Sequence, residues 1–481
     1  MTPHVLVVGA GLTGLATARH LRAAGHEVTV VDALPEAGGV MQSVVRDGWL
    51  VERGPNSCML TPEMAAMIDA VGLTPALVRA NPAGQVRYIV RDGRPVPVPS
   101  SPPAFLTSPL FAFAGKLRLL REPFIGRRQG AGDESIADFV RRRLGTEVLD
   151  WAIDPFVSGV YAGDPETLSV GHAFPRLVAL EREHGSLIRG AIALARRRGA
   201  ARATQAASGQ RGAMISFRDG MQSLPRAMAA SLGPRVQCDT RLVALAPRGG
   251  DGVRAVLERR GTRADVDADA VVLTVPAHAL RTIELPSAAG AAVRRLETLR
   301  YPAVSSLALG FTREQVAHPL DGFGCLVPGR ERRDVLGILF SSALFPGRAP
   351  AGHVLLTCFI GGMRRPDLGM APTSLLLDRV LPELTALLGV QGDPVFVEHT
   401  TWPHAIPQYE LGHDHMIEAA TAIEGAVPGL VVDGQFRRGV SVGDCVAAGA
   451  TLAGRVGEML AGRAGTGGGA VPLTSGRRSA V

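Results

Sequence analysis

An α/β fold is predicted from three features near the start of the chain. Residues 4–8 (HVLVV) form an uninterrupted apolar run, the pattern of a strand buried on both faces. Gly9-Ala10-Gly11-Leu12-Thr13-Gly14 follows. From Thr13 to about Ala24, Leu15, Ala18 and Leu21 recur at helical spacing before Gly25 stops the helix. Residues 28–31 then make a second strand that ends at Asp32. Strand, glycine turn, helix and strand form a βαβ unit of the dinucleotide-binding, Rossmann-like kind.

Further along, residues 86–98 (VRYIVRDGRPVPV) read as a hairpin around Asp92-Gly93. Residues 135–198 are mostly helical in pattern, and the small-residue and arginine stretch 198–213 reads as a mobile linker. Strand-rich sequence returns at 235–275 and alternates with turns at 301–360, and 373–389 is expected as a helix. A last strand at 430–434 precedes a loop and a helix rich in small residues. The tail 462–481 is expected to be disordered. No internal repeat is found.

Composition narrows the function. A chain of 481 residues, 46% hydrophobic and 20% charged, suits a globular protein of two or three domains, taking roughly 100–200 residues for each. No basic n-region with a small-residue cleavage site opens the sequence, so no secretory signal is expected. No apolar stretch approaches the ~20 residues of a spanning helix. The five cysteines are scattered without CxxC spacing, which favours a reduced compartment over disulfides or zinc. His413 and His415 in GHDH are the one pair with any metal-binding look, and no metal is expected. Net charge is +7, but the arginines are spread out and carry no nucleic-acid recognition motif. Lys116 is the only lysine, which nearly excludes Schiff-base chemistry and a P-loop.

The glycines define a nucleotide site. Gly9 permits the tight turn, Gly11 lets the backbone approach a pyrophosphate, and Gly14 brings helix against strand; the helix N-terminus faces the phosphate charge. Asp32, about 20 residues on, is placed to hold a ribose. The pair Gly38-Gly39 resembles the extended fingerprint of the two-dinucleotide-fold flavoproteins related to amine oxidases, which implies FAD. That pattern usually carries an arginine just before the pair, where this chain has Glu36 or Ala37. No second such motif for a separate NADPH domain is present.

The rest of the chain resembles the protoporphyrinogen oxidases of bacteria and plants. The likeness is carried by VERGPNS (51–57), FVSGVYAGDPETLSVGHAFPRLVALEREHGSLIRG (156–190), FRDGMQSLP (217–225), GFGCLVP (322–328), LFSSALFPGRAP (339–350) and FRRGVSVGDC (436–445). The blocks occur in family order and cover nearly all of 4–460. The resemblance implies six-electron oxidation of protoporphyrinogen IX to protoporphyrin IX in haem synthesis, with bound FAD, oxygen as acceptor and peroxide as product. It implies a Rossmann-like FAD-binding domain (1–85, 205–285 and 425–461) interleaved with a mixed α+β substrate domain (86–104 and 286–424) and a helical membrane-associating domain (105–204).

Carried over by motif, Arg87 is expected to hold a propionate of the substrate through a forked contact. Leu326 and Phe345 are expected to sandwich the ring, Asn56 to lie near substrate and flavin, and the backbone at Gly163 to pass close to the reacting ring. The same motifs place Gly9, Ala10, Gly11, Leu12, Thr13, Gly14, Asp32, Gly38, Gly39, Val40, Gly54, Pro55, Asn56 and Ser57 along the cofactor. Val243 packs on adenine, and Gln435, Val440, Ser441 and Val442 lie beside the isoalloxazine. No catalytic protein acid or base is expected, because the flavin N5 takes the hydride.

Segment 105–128 matches the region that seats relatives on the membrane. Its aromatic and leucine residues beside Lys116, Arg118, Arg121, Arg127 and Arg128 suit a helix lying in the interface. The expected setting is therefore cytoplasmic, peripheral to the inner membrane face; a homodimer is left open. Three other readings compete. An amine oxidase would place a lysine against flavin N5, and Lys116 sits in the wrong segment. A non-catalytic carrier on this fold would have no use for the intact glycines and Asp32. Coproporphyrinogen III as substrate, with four propionates, would favour extra cations, and Arg437 and Arg438 leave this open.

Overall fold

In the computed structural model, which describes residues 2–130, 132–205, 212–249 and 252–466, the alternating pattern at the N-terminus becomes the centre of a five-stranded sheet. Its order is Val236–Gln237, Glu27–Val31, His4–Val8, Ala270–Leu273 and Leu430–Val432, all parallel. Val5 and Val7 feed one core with Leu15, Leu21 and Met64, while Leu6 and Val8 feed another with Val271 and Phe436. A strand apolar at every position is what a parallel sheet covered on both faces requires.

The small residues of the last helix, Val442–Thr466, have a packing reason. A Cβ at Gly449 would sit 2.4 Å from that of Ala16 on the first helix, Leu12–Ala23, so the two helices meet almost backbone to backbone. This contact clamps the end of the chain over the nucleotide turn.

A seven-stranded sheet forms the second layer, in the order Phe396–Trp402, Val304–Thr312, His353–Gly361, Val335–Leu339, Gly324–Leu326, Tyr88–Arg91 and Arg94–Pro97. The hairpin at 88–97 turns at Asp92 and Gly93, with φ of 52° and 73°, conformations in which aspartate and glycine are favoured. Its first strand joins the sheet parallel to Gly324–Leu326; the other pairings are antiparallel. Helix Thr373–Leu388 packs below with Leu376, Val380 and Leu384. Helices between 102 and 205 enclose a third core around Phe139, Leu149, Val157 and Tyr161. Inside it the fully buried Arg143 pairs with Glu122, which also accepts from Ser186.

Two expectations need correction. The stretch 198–213 is not wholly a linker: helix Leu187–Gln205 runs into it, and 206–211 lie outside the described residues. Alanine and arginine are strong helix formers, so a run of them extends a helix rather than breaking it. The tail likewise begins later than 462, because the last helix continues to Thr466; 467–481 lie outside the described residues.

One buried acid marks the underside of the seven-stranded sheet. Glu383 accepts from the Asp334 N–H at 2.7 Å through one oxygen, and its other oxygen is buried without a partner among the described residues. Burial pushes its carboxyl from 4.5 up to about 7, with Arg333 opposing. A folded-state pKa above the unfolded one means the stabilisation is full below 4.5 and lost as pH rises through about 7. Glu383→Gln should therefore raise the melting midpoint at about pH 8.5 and leave it unchanged near pH 5, as measured by calorimetry.

Candidate active site

The nucleotide turn is built by close approach. Gly9 has φ of 108°, and a Cβ at Gly14 would lie 1.9 Å from the Gly9 carbonyl oxygen. At Gly11, by contrast, no atom lies within 4 Å of where a Cβ would point. Gly11 also caps the helix Leu12–Ala23 without a side-chain hydrogen bond, leaving the N–H groups of Leu12, Thr13 and Gly14 to a ligand. Ala10 donates its N–H to Asp32 at 2.6 Å, and Leu34 does so to the other carboxylate oxygen at 2.8 Å. Burial pushes the Asp32 carboxyl up and these two N–H groups pull it back. Among the described residues no cation is paired with it, so its spare lone pairs suit hydroxyl donors such as those of a ribose.

The next loop wraps the same turn. Gly38 donates its N–H to the Ala10 carbonyl at 2.9 Å, and Gly38 and Gly39 have φ of 132° and 59°. Val40 is largely exposed, and its carbonyl oxygen would be 1.9 Å from a Cβ at Gly54. Gly54 therefore runs directly against the residue that follows the glycine pair, and the Asn56 carboxamide donates to the Gly54 carbonyl at 3.3 Å. Where the fingerprint has its arginine, Glu36 is paired with Arg226 at 2.9 Å and accepts from Gln222 at 3.1 Å. A guanidinium is thus present at this edge, delivered by the helix Ser223–Leu232.

Val243 occupies a β-bulge: register shifts between Leu242 and Ala244, so Val243 is the extra residue of strand Thr240–Pro247. A bulge re-aims a side chain. Gln435 begins the short helix Gln435–Arg438, and Val440 and Ser441 lead into the last helix, which starts at Val442. At this N-terminus the Ser441 hydroxyl donates to the Asp444 carboxylate at 2.6 Å and accepts from the Asp444 backbone N–H at 3.1 Å.

On the seven-stranded sheet, Leu326 and Arg87 belong to neighbouring strands, Arg87 just before Tyr88–Arg91. The register pairs Cys325 with Tyr88 and Leu326 with Ile89, and the exposed Arg87 guanidinium stacks 5.5 Å from the Phe323 ring. Arg87 has no carboxylate partner among the described residues. Leu326 reaches across to the helix Asp154–Tyr161, where a Cβ at Gly159 would lie 2.5 Å from its methyl. Gly163 is buried beside Gln408 and Leu168. Phe345 is almost fully enclosed, 3% exposed, with the Arg348 guanidinium 5.6 Å over its ring. The two cations left open by sequence are committed elsewhere. Arg437 bonds Glu424 at 2.8 Å, and Arg438 bonds Asp433 at 2.6 Å.

His413 and His415 do not share a site: His413 is buried against the Phe436 carbonyl at 2.7 Å, while exposed His415 faces Glu418 at 3.2 Å. All five cysteines are free thiols. Lys116 donates to the carbonyls of Leu106 and Ser108, both at 2.8 Å, and Arg118 to that of Arg142 at 2.7 Å. Two of the cations of the expected interface helix at 105–128 are thus engaged in closing helix ends. Leu106, Phe113, Leu117, Leu120 and Phe124 remain exposed around it.

Sequence reading missed Arg348 and Glu52. Their side chains are 3% and 2% exposed and form an ion pair at 2.9 Å, with Arg348 also donating to Ser216. Glu52 accepts in addition from Ser43 and from the Met221 N–H, at 2.5 Å and 2.9 Å. Burial pushes the carboxyl up and the guanidinium down, and each holds the other charged. The pair joins the strand leading to Gly54 with the loop carrying Phe345. Thr274 was also missed; its hydroxyl donates to the Val8 carbonyl at 3.0 Å beneath the glycine turn. Glu52 and Arg348 stand in the blocks 51–57 and 339–350, yet nothing local marks them as partners, and only the fold brings them together.

A family profile described as flavin containing amine oxidoreductase matches residues 12–457. The chain belongs to this family. It is an FAD-dependent oxidoreductase, and the open N-terminus at Gly11, the glycine pair and the unneutralised Asp32 fit that cofactor. Protoporphyrinogen oxidase 2 (chloroplastic/mitochondrial) of Arabidopsis thaliana is 36% identical, over 93% of this chain and 92% of its own. Coproporphyrinogen III oxidase of Bacillus subtilis is 29% identical over 92% and 95%. A crystal structure from Exiguobacterium, provisionally named protoporphyrinogen oxidase, matches at 25% identity with a TM-score of 0.79, covering 96% of this chain and 99% of its own.

The closeness of Gly54 to Val40 gives a direct test of the cofactor loop. In Gly54→Ala the new methyl meets a backbone oxygen, so the loops must part and FAD affinity should fall at least about tenfold, an effect of roughly 1.4 kcal/mol. Flavin absorbance per protein after gel filtration checks this. Gly454→Ala, where nothing lies within 4 Å, should keep its flavin.

Proposed function

We propose that the protein oxidises protoporphyrinogen IX to protoporphyrin IX, passing hydrogens to FAD and then to oxygen, with hydrogen peroxide as product. The observation that carries the choice of substrate is the inventory of cations. Arg87, beside the strand Tyr88–Arg91, has no carboxylate partner among the described residues, whereas Arg437, Arg438 and Arg364 are held by Glu424, Asp433 and Asp154. One guanidinium at the rim suits a tetrapyrrole with two propionates better than one with four. The near full-length likeness to plant enzymes named protoporphyrinogen oxidase supports the same reading.

FAD, when bound, supplies the hydride-accepting chemistry. The chain's own residues bind and orient. The uncapped N–H groups at Leu12–Gly14 would take the pyrophosphate charge, and Asp32 the ribose hydroxyls. Val40, Gly54, Pro55, Asn56 and Ser57 would line the flavin on one side, with Gln435 and 440–442 on another. Arg87 would fix a propionate by a forked contact, Leu326 and Phe345 would exclude water from the ring faces, and Gly163 would present backbone to the reacting edge. The cofactor half would comprise 1–85, 205–285 and 425–461, the substrate half 86–104 and 286–424, and the helical part 105–204.

A fluorescence assay settles the substrate. Both porphyrinogens are offered to the flavin-loaded protein, first without and then with oxygen. Faster appearance of protoporphyrin fluorescence is expected; faster coproporphyrin formation would move the assignment to the alternative. Arg87→Ala should raise KM by roughly 10–100-fold, the worth of hydrogen bonds to a charged group, with flavin content unchanged. Loss of flavin would instead remove Arg87 from the substrate edge.

The exposed apolar set at 105–128 is proposed to rest on a membrane surface, where a poorly soluble product would partition. Among the described residues no helix is long and apolar enough to cross a membrane. Phe113 and Phe124, 76% and 83% exposed, would insert at the acyl boundary. Phe113→Ser with Phe124→Ser should lower co-sedimentation with phospholipid vesicles several-fold while leaving turnover in detergent unchanged.

A further inference from the structure

A short stretch after the outermost strand of the seven-stranded sheet does something that its sequence, WPHAIPQYELGH (402–413), does not announce. It sends side-chain donors to backbone carbonyls in three loops far apart in sequence. The Trp402 indole N–H donates to the Arg53 carbonyl at 2.9 Å, immediately before Gly54. The Gln408 carboxamide donates to the Tyr161 carbonyl at 2.9 Å. Tyr409 donates its hydroxyl to the Gln435 carbonyl, and His413 its Nε2–H to the Phe436 carbonyl at 2.7 Å.

The loops receiving these bonds are the ones assigned above to cofactor and substrate. The turn after Tyr161 is held under strain. Ala162 has φ of 50°, its carbonyl accepts from the Met363 N–H at 2.8 Å, and a Cβ at Gly163 would be 2.5 Å from the Gln408 carboxamide oxygen. A non-glycine residue in this region is strained and persists only where its surroundings over-determine it. Gln408, Tyr409 and His413 are 1%, 3% and 4% exposed, so their bonds do not compete with solvent. The stretch is itself anchored by backbone bonds, from the Ser169 N–H to the Tyr409 carbonyl at 2.8 Å and from the Gln408 N–H to the Arg300 carbonyl at 3.0 Å.

We propose that residues 402–413 form one clasp that sets the spacing of the loops 53–57, 161–163 and 435–442, with Trp402, Gln408, Tyr409 and His413 as positioning residues. The inference rests on the functional reading of those loops given above. Every acceptor is a main-chain carbonyl, so the clasp fixes loop position irrespective of the side chains the loops carry. Through its bonds to Gln435 and Phe436 it sets the cofactor side; through Tyr161 it sets the substrate side.

The test uses holoprotein carrying Trp402→Phe, Gln408→Met or Tyr409→Phe, each of which keeps most of the buried volume. Hydrogen–deuterium exchange should rise about tenfold in one loop per variant, the size of one net hydrogen bond: 53–57, 161–164 and 435–442 respectively. The visible circular dichroism of bound flavin should change in the Trp402 and Tyr409 variants and not in the Gln408 variant. In turnover, Tyr409→Phe should lower kcat with KM unchanged, and Gln408→Met should raise KM. Uniform loosening of all three loops in every variant would make the segment ordinary core and overturn the proposal, as would unchanged exchange throughout. A wild-type protein that holds flavin but oxidises neither porphyrinogen would defeat the functional reading alone, since exchange and dichroism still judge the clasp.

Discussion

A side-chain carbon at position 14 would lie 1.9 Å from the Gly9 carbonyl oxygen, and the nucleotide half depends on that forbidden space. With only hydrogen there, the helix Leu12–Ala23 begins directly over the end of the first strand, aiming its free N–H groups at the same opening that Gly11 leaves clear. The Asp32 carboxylate holds the turn from the neighbouring strand, and the last helix closes on the first through Gly449 and Ala16. A larger residue at either meeting point would tilt a helix, and the opening would no longer match a pyrophosphate.

The two halves are joined by a costlier device. Glu52 and Arg348 are charged groups almost without solvent, and a buried pair of this kind stabilises little relative to apolar residues of the same shape. Breaking one side, however, strands the other, at about 3–5 kcal/mol. Such a pair is a poor source of stability and a strong source of alignment. Here it sits between the strand leading to Gly54 and the loop carrying Phe345, so these two elements can shift only together.

Local features were legible in the sequence because local physics decides them. The apolar run 4–8, the glycine spacing, the Asp92-Gly93 turn and the helix at 373–388 all follow from periodicity or backbone preference. Where the fingerprint has its arginine, this chain brings Arg226 against Glu36 from nearly two hundred positions away, which no motif could reveal. His413 looked like a metal ligand by its neighbour His415, yet its ring serves a carbonyl; spacing of two along the chain says nothing about which way a buried ring points. The alanine and arginine run near 200 has the composition of a linker but the propensity of a helix, and propensity prevails as far as Gln205. The assigned flavin and substrate positions came from family likeness, and burial alone would have filed Phe345 and Leu326 with the core.

The anchoring of Lys116 and Arg118 to helix carbonyls changes what kind of surface the helical region presents. Carbonyl acceptors fix where these two cations stand without cancelling their charge, and Arg121 and Arg127 remain exposed beside them. A seat made this way would hold its positive charge at a set height beside the phenyl rings, so that acyl packing and acidic lipid would both be felt.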